Sequence, residues 1–142
     1  MASKDLSHQE SKLQNTTKWG LYGIGLQFVL GTIVSLWHIP PSEETATHKS
    51  PAFASLSFDL HMLLALILVL WSVYLLIIAL KTKKPVYKKL SIACLGSIVV
   101  AFIGGISIFF APESWARIGL FIMGLGFIGS FFNYGRLYLK LK

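Results

Sequence analysis

Between Ser57 and Leu80 the only formal charge is Asp59, and after His61 the stretch holds nothing but Leu, Ile, Val, Ala, Met, Trp, Ser and Tyr. As a helix, these roughly 24 residues reach about 36 Å, enough to cross a hydrocarbon core of about 30 Å with some tilt. Lipid has no hydrogen bonds to offer the backbone, so a segment that crosses it must satisfy its own amides, and a helix does this within one segment. Three more apolar stretches share this character, at about 19–39, 90–110 and 115–138. The sequence therefore predicts an all-α, antiparallel four-transmembrane-helix bundle with spans at about 19–39, 57–80, 90–110 and 115–138. It forms one membrane domain over 19–142, after a polar cytoplasmic tail at 1–18.

Composition agrees with a lipid environment. Of 142 residues, 54% are hydrophobic and 13% charged, and the mean hydropathy is +0.65, so charge is too sparse to clothe a soluble globule. The net charge of +7 raises nucleic acid as a partner, but the lysines sit in short flanks of apolar spans and leave no soluble basic face. The partner expected instead is the bilayer, with anionic headgroups opposite the lysines. Residues 1–18 have no apolar core of the kind a signal peptide carries, so the first span is expected to stay in the mature protein; lacking an apolar face, they read as a disordered or fraying tail. Cys94 stands alone and is expected to be a small buried packing residue.

Small residues recur at helical spacing. Gly23, Gln27, Gly31 and Ser35 lie four apart in the first span, which predicts a stripe that another helix approaches closely and makes Gln27 a buried amide in need of a partner. Ala93, Ser97, Ala101 and Gly105 repeat the pattern in the third span, which is expected to be central, and Asn133 reads as an interhelical hydrogen bonder. Pro40-Pro41 ends the first span, and Lys81 to Lys89 form a basic turn between the second and third.

The residues able to carry chemistry gather at one end. His38 closes the first span, His48 lies in the loop with Glu43 and Glu44, and Asp59 and His61 open the second span. Antiparallel packing would bring His38 and His61 to one depth, where imidazoles can ligate heme iron. His38, His48, His61 and Asp59 together form an alternative metal-binding set. In the plain reading, the histidines are interfacial or solvated and Asp59 caps its helix. Ala65, Leu68 and Ser72 follow His61 on a face with small residues, leaving room for a flat ligand such as heme or quinone. Met62 and Met123 are the thioethers available as a second iron ligand. There is no P-loop, HExxH, GxSxG or dinucleotide fingerprint, which argues against hydrolytic and nucleotide-driven enzymes.

The string GLQFVLGTIVSLWHIPP, a polar loop with His48 and then DLHMLLALILVL resemble small four-helix integral membrane proteins of bacteria and archaea, a resemblance that implies the fold and no activity. More remotely, the layout is similar to one half of heme A synthase, whose four-helix bundle holds heme between histidines on two helices. His61 is the one residue matching that arrangement; the second helix histidine, and a glutamate just ahead of His61, are absent. The functional expectation is a heme-binding, cytochrome-like or oxidase-associated membrane protein with His61, then His38 and last His48 as ligands. The alternative is a noncatalytic accessory or assembly subunit of a larger membrane complex, or a homo-oligomer.

Orientation follows from the cations. Lys4, Lys12 and Lys18 precede the first span, five lysines separate the second from the third, and Arg136, Lys140 and Lys142 end the chain, against Lys49 and Arg117 on the other side. That excess of Lys and Arg predicts cytoplasmic termini in a multi-pass cell-membrane protein. Reporter fusions at the two ends should both read cytoplasmic, and an external location for either would remove the charge argument or the span count.

Overall fold

The computed structural model describes residues 2–37, 52–110 and 113–142, and these are helical apart from a short turn and the last residue. Four helices follow in order: α1 (Ala2–Trp37), α2 (Ala52–Lys81), α3 (Pro85–Phe110) and α4 (Glu113–Leu141). Three are long and apolar enough to cross a membrane, over Leu56–Lys81, Pro85–Ile108 and Arg117–Leu141. Their outer surfaces reverse the soluble pattern, with Leu70, Ile128 and Phe121 exposed by 63%, 65% and 66%. So much bare apolar surface belongs against lipid tails rather than water.

The first departure from expectation is at the start of the chain. Residues 2–18 are not a frayed tail but the first half of α1, continuous with its apolar part. Leu13 and Thr17 are fully buried there and Thr16 nearly so. Thr16 Oγ1 donates to the Lys12 carbonyl at 2.8 Å and Thr17 Oγ1 to the Leu13 carbonyl at 2.7 Å, so polar residues enter the interior with their donors already used. Trp71 of α2 donates its indole N–H to the Thr16 carbonyl at 3.0 Å, and Glu10 forms an ion pair with Lys84 in the α2–α3 turn. That carboxylate raises the Lys84 pKa above the ordinary lysine value.

The other boundaries are wider than expected. α2 starts at Ala52 instead of Ser57, which puts Asp59 inside the helix and removes its capping role. α3 starts at Pro85, a residue suited to a first helical position because its missing N–H would find no partner there anyway. The basic turn shrinks to Thr82–Lys84. Thr82 Oγ1 donates to the Ala79 carbonyl at 2.7 Å, and Lys83 adopts a left-handed φ of 58°, unusual for a residue with a side chain.

Glycine sets how the helices meet. On α3 and α4, a Cβ at Gly104 would lie 2.8 Å from the Gly119 carbonyl oxygen, and one at Gly126 would lie 2.7 Å from Ala101 Cα and 2.8 Å from the Ser97 carbonyl oxygen. The backbones of the two helices therefore touch, as the α3 stripe of small residues implied. Its register differs by one place, since Gly104, and not Gly105, meets the neighbouring backbone. Asn133 Nδ2 donates to Ser97 Oγ at 2.9 Å across the same seam. On α1, Gly23 faces the Leu68 side chain and Gly31 the His61 ring, so that stripe lies against α2. Contacts such as Thr16 to Trp71 and Gln27 to His61 pair rising positions on α1 with falling ones on α2.

Tyr134 holds the centre. It is fully buried, its hydroxyl is 2.9 Å from Ser72 Oγ, and Gly20 leaves the space its ring fills. Ser72 donates its own proton to the Leu68 carbonyl at 2.7 Å, so the phenol is the donor between them. Replacing Gly126 by Leu should destabilise the protein by roughly 3 kcal/mol or more by forcing α3 from α4. Gly25→Leu, where a Cβ meets nothing within 4 Å, should cost far less. Thermal unfolding in detergent compares the two, and equal losses would refute the glycine contact.

Candidate functional site

The bundle is tight at the end that carries Leu13, Leu75, Leu137 and Cys94, all fully buried, and opens towards the other end. There the four helices enclose a cavity of about 310 Å³. α1 contributes Ile24, Gln27, Phe28 and Gly31, and α2 contributes His61, Met62, Ala65 and Leu68. Ile98, Ala101, Phe102 and Gly105 come from α3, and Met123, Phe127 and Ser130 from α4. Phe28 and Phe127 stack with centroids 5.2 Å apart and brace α1 against α4 at its wall. The lining is apolar but for Gln27, Thr32, His61 and Ser130. Two of those have their polar atoms occupied: Thr32 donates to the Phe28 carbonyl at 2.9 Å and Ser130 to the Gly126 carbonyl at 2.7 Å.

Gln27 and His61 differ. Gln27 Nε2 donates to the His61 backbone carbonyl at 3.1 Å and lies 3.2 Å from His61 Nε2. Turning the amide over would set its oxygen against that carbonyl, acceptor against acceptor, which fixes the nitrogen in this position. The second amide proton then goes to His61 Nε2, and in the neutral ring the proton sits on Nδ1. The pair's other polar atoms, Gln27 Oε1 and His61 Nδ1, are sealed from solvent and have no hydrogen-bond partner; among the described residues Ser91 Oγ is in the same condition. Each such atom costs about 1–3 kcal/mol. Gly31 makes room for the ring, because a Cβ there would lie 3.0 Å from His61 Cε1.

Of the residues expected to form a site, His61 is half-buried in the wall of the cavity, on the face that Ala65 and Leu68 share. Ser72, expected on that face too, lies one turn deeper against Tyr134. Asp59 is exposed, and two residues apart on a helix means opposite sides, so it does not join His61. His38 and His48 lie outside the described residues, and with them the expected meeting of His38 and His61. Among the described residues no three of His, Cys, Asp and Glu converge as a metal-binding group. Met123 does reach the cavity, opposite His61. Gln27 was legible as an amide seeking a partner, but its pairing with His61 was not, because no sequence spacing links two helices.

The two side chains should behave as a unit. Gln27→Leu and His61→Phe should each destabilise the protein by about 1–2 kcal/mol, and the double variant should cost about 1 kcal/mol less than their sum. A double-mutant cycle of unfolding free energies that closes to zero would dissolve the pair. No family model, curated protein or solved structure matches this chain.

Proposed function

We propose that this protein is an antiparallel four-span bundle of the cell membrane, both termini cytoplasmic, which binds a lipophilic molecule with a small oxygenated head in the cavity beside His61. The observation that carries this reading is an apolar cavity walled by a polar pair with one unused donor and one unused acceptor. Turning either atom inward gives up contacts that Gln27 Nε2 makes with His61, so it is favoured only when an occupant supplies the complement. A quinone carbonyl accepts from the imidazole N–H, and the corresponding quinol hydroxyl donates to the amide oxygen. The cavity volume is at the lower end of the range for small-molecule sites, which suits a head group of one ring.

Heme, in a cytochrome-like or oxidase-associated role, is the second reading, and Met123 favours it. His61 and Met123 come from α2 and α4 and line one cavity, and a histidine with a thioether is an established pair of axial ligands. It requires Gln27 to release Nε2. The accessory-subunit reading draws on Gly25, Gly96 and Gly135, whose absent side chains face open space where a further helix could approach.

The full chain purified in mild detergent separates these readings. Under the first, it shows no Soret band, and a short-chain benzoquinol at about 100 times its Kd stabilises it by about 2.7 kcal/mol. His61→Phe should weaken that binding by tenfold or more, and Ala65→Leu should block it by filling the cavity. A Soret band lost in His61→Ala selects heme. Neither signal would sink ligand binding and leave the accessory role.

A further inference from the structure

At the end of the bundle that holds both termini, α3 and α4 frame an open groove of about 490 Å³ lined by Val86, Lys89, Leu90, Arg136, Leu139 and Lys140. The helical spacing builds it. Val86, Lys89 and Leu90 share one face of α3, and Arg136, Leu139 and Lys140 share one face of α4, so each helix presents cations and aliphatic side chains together. The Tyr87 hydroxyl donates to the Lys140 carbonyl at 3.4 Å and ties the two helices beside the groove. The Arg136 guanidinium rests 5.6 Å from the centre of the Phe132 ring, which limits its freedom before anything binds.

Three positive charges thus converge, and none of them makes an ion pair with a described residue. Glu10 of α1 is paired with Lys84 of the α2–α3 turn. Like charges gathered at a membrane edge repel one another and favour an anion from outside. The groove's other side selects the kind of anion: Val86 is 49% exposed and Leu139 70%, beside the cations and at the ends of two membrane-spanning segments. A free phosphate would neutralise the cations and leave these aliphatic side chains bare. A lipid covers both.

We propose that this groove is a binding site for an anionic phospholipid, with the phosphate among Lys89, Arg136 and Lys140 and an acyl chain along Val86 and Leu139. It rests on the placement of the bundle in a membrane and is independent of any ligand in the cavity. The site differs from the general attraction of the basic end for negative headgroups in requiring these three cations rather than three of any kind. Lys12, Lys18 and Lys142 lie over Tyr74, Tyr22 and Tyr138 elsewhere at the same end and supply the comparison.

Native mass spectrometry of the full chain, released from micelles containing equal phosphatidylglycerol and phosphatidylcholine, tests this. The wild type should retain phosphatidylglycerol selectively. Lys89→Gln, Arg136→Gln and Lys140→Gln together should lower that retention at least tenfold more than Lys12→Gln, Lys18→Gln and Lys142→Gln, which remove the same charge. Arg136→Lys should keep most of the binding, and Lys89→Gln alone should weaken it roughly fivefold, which preserves the test if the triple variant fails to fold. Equal loss in the two triple variants would reduce the effect to net charge and overturn the site. So would retention in the groove variant, or displacement by inorganic phosphate as effective as by a short-chain phosphatidylglycerol.

Discussion

Backbone contact between α3 and α4 is the constraint on which the other contacts depend. In lipid, burying apolar side chains gains little, because the tails outside are as apolar as the interior, and helices associate by dispersion at close range and by interhelical hydrogen bonds. Gly104 and Gly126 remove the side chains that would hold the two helices apart. The approach brings Asn133 within 2.9 Å of Ser97 and fixes the rotation of α4 that turns Tyr134 inward. Tyr134 then needs the gap at Gly20 and the hydroxyl of Ser72, which sets α1 and α2 around it.

Hydroxyl groups in the interior place few demands on that arrangement. Ser72, Ser97 and Ser130 donate to carbonyls one turn back in their own helices, as do Thr16 and Thr17. Such residues pack like small aliphatic ones and leave an oxygen free to accept, which Asn133 and Tyr134 use. Gln27 and His61 have no such local solution. Their amide and ring can be satisfied only by another helix or by an occupant, and the bundle satisfies them in part. This concentrates unspent hydrogen-bonding capacity beside the cavity.

What the sequence revealed depended on the range of the interaction. Helix content and three of the four expected apolar spans follow from residues within a few turns of one another and were legible; among the described residues α1 is not one of the helices long and apolar enough to cross a membrane. The stripes on α1 and α3 were legible as faces and predicted close approach at Gly23 and Gly31, and Asn133 on α4 was legible as an interhelical hydrogen bonder. The exchange of Gly105 for Gly104 as the contact residue arises because a four-residue repeat drifts around a helix of 3.6 residues per turn. The helical start of α1 was missed because its support is distant: Trp71 and Lys84 meet Thr16 and Glu10 only once the chain has folded back. A spacing rule sees no apolar face there, since two of the buried residues are threonines with internally satisfied hydroxyls. The cavity was the least legible feature, because it is bounded by all four helices and defined by what none of them fills; His61 with Ala65 and Leu68 marked one wall alone.

The hydrogen bond between Tyr134 and Ser72 also marks where the tightly packed part of the bundle meets its open part. Leu68 and Ser130 line the cavity, and four residues further along α2 and α4 Ser72 meets Tyr134, in the buried cluster with Leu13, Leu75 and Leu137, all without exposed surface. The packed level and the cavity are thus built on the same stretches of α2 and α4, one turn apart. A change that loosened the phenol from Ser72 would therefore act on both, disturbing the packed core and, one turn away, the wall of the cavity.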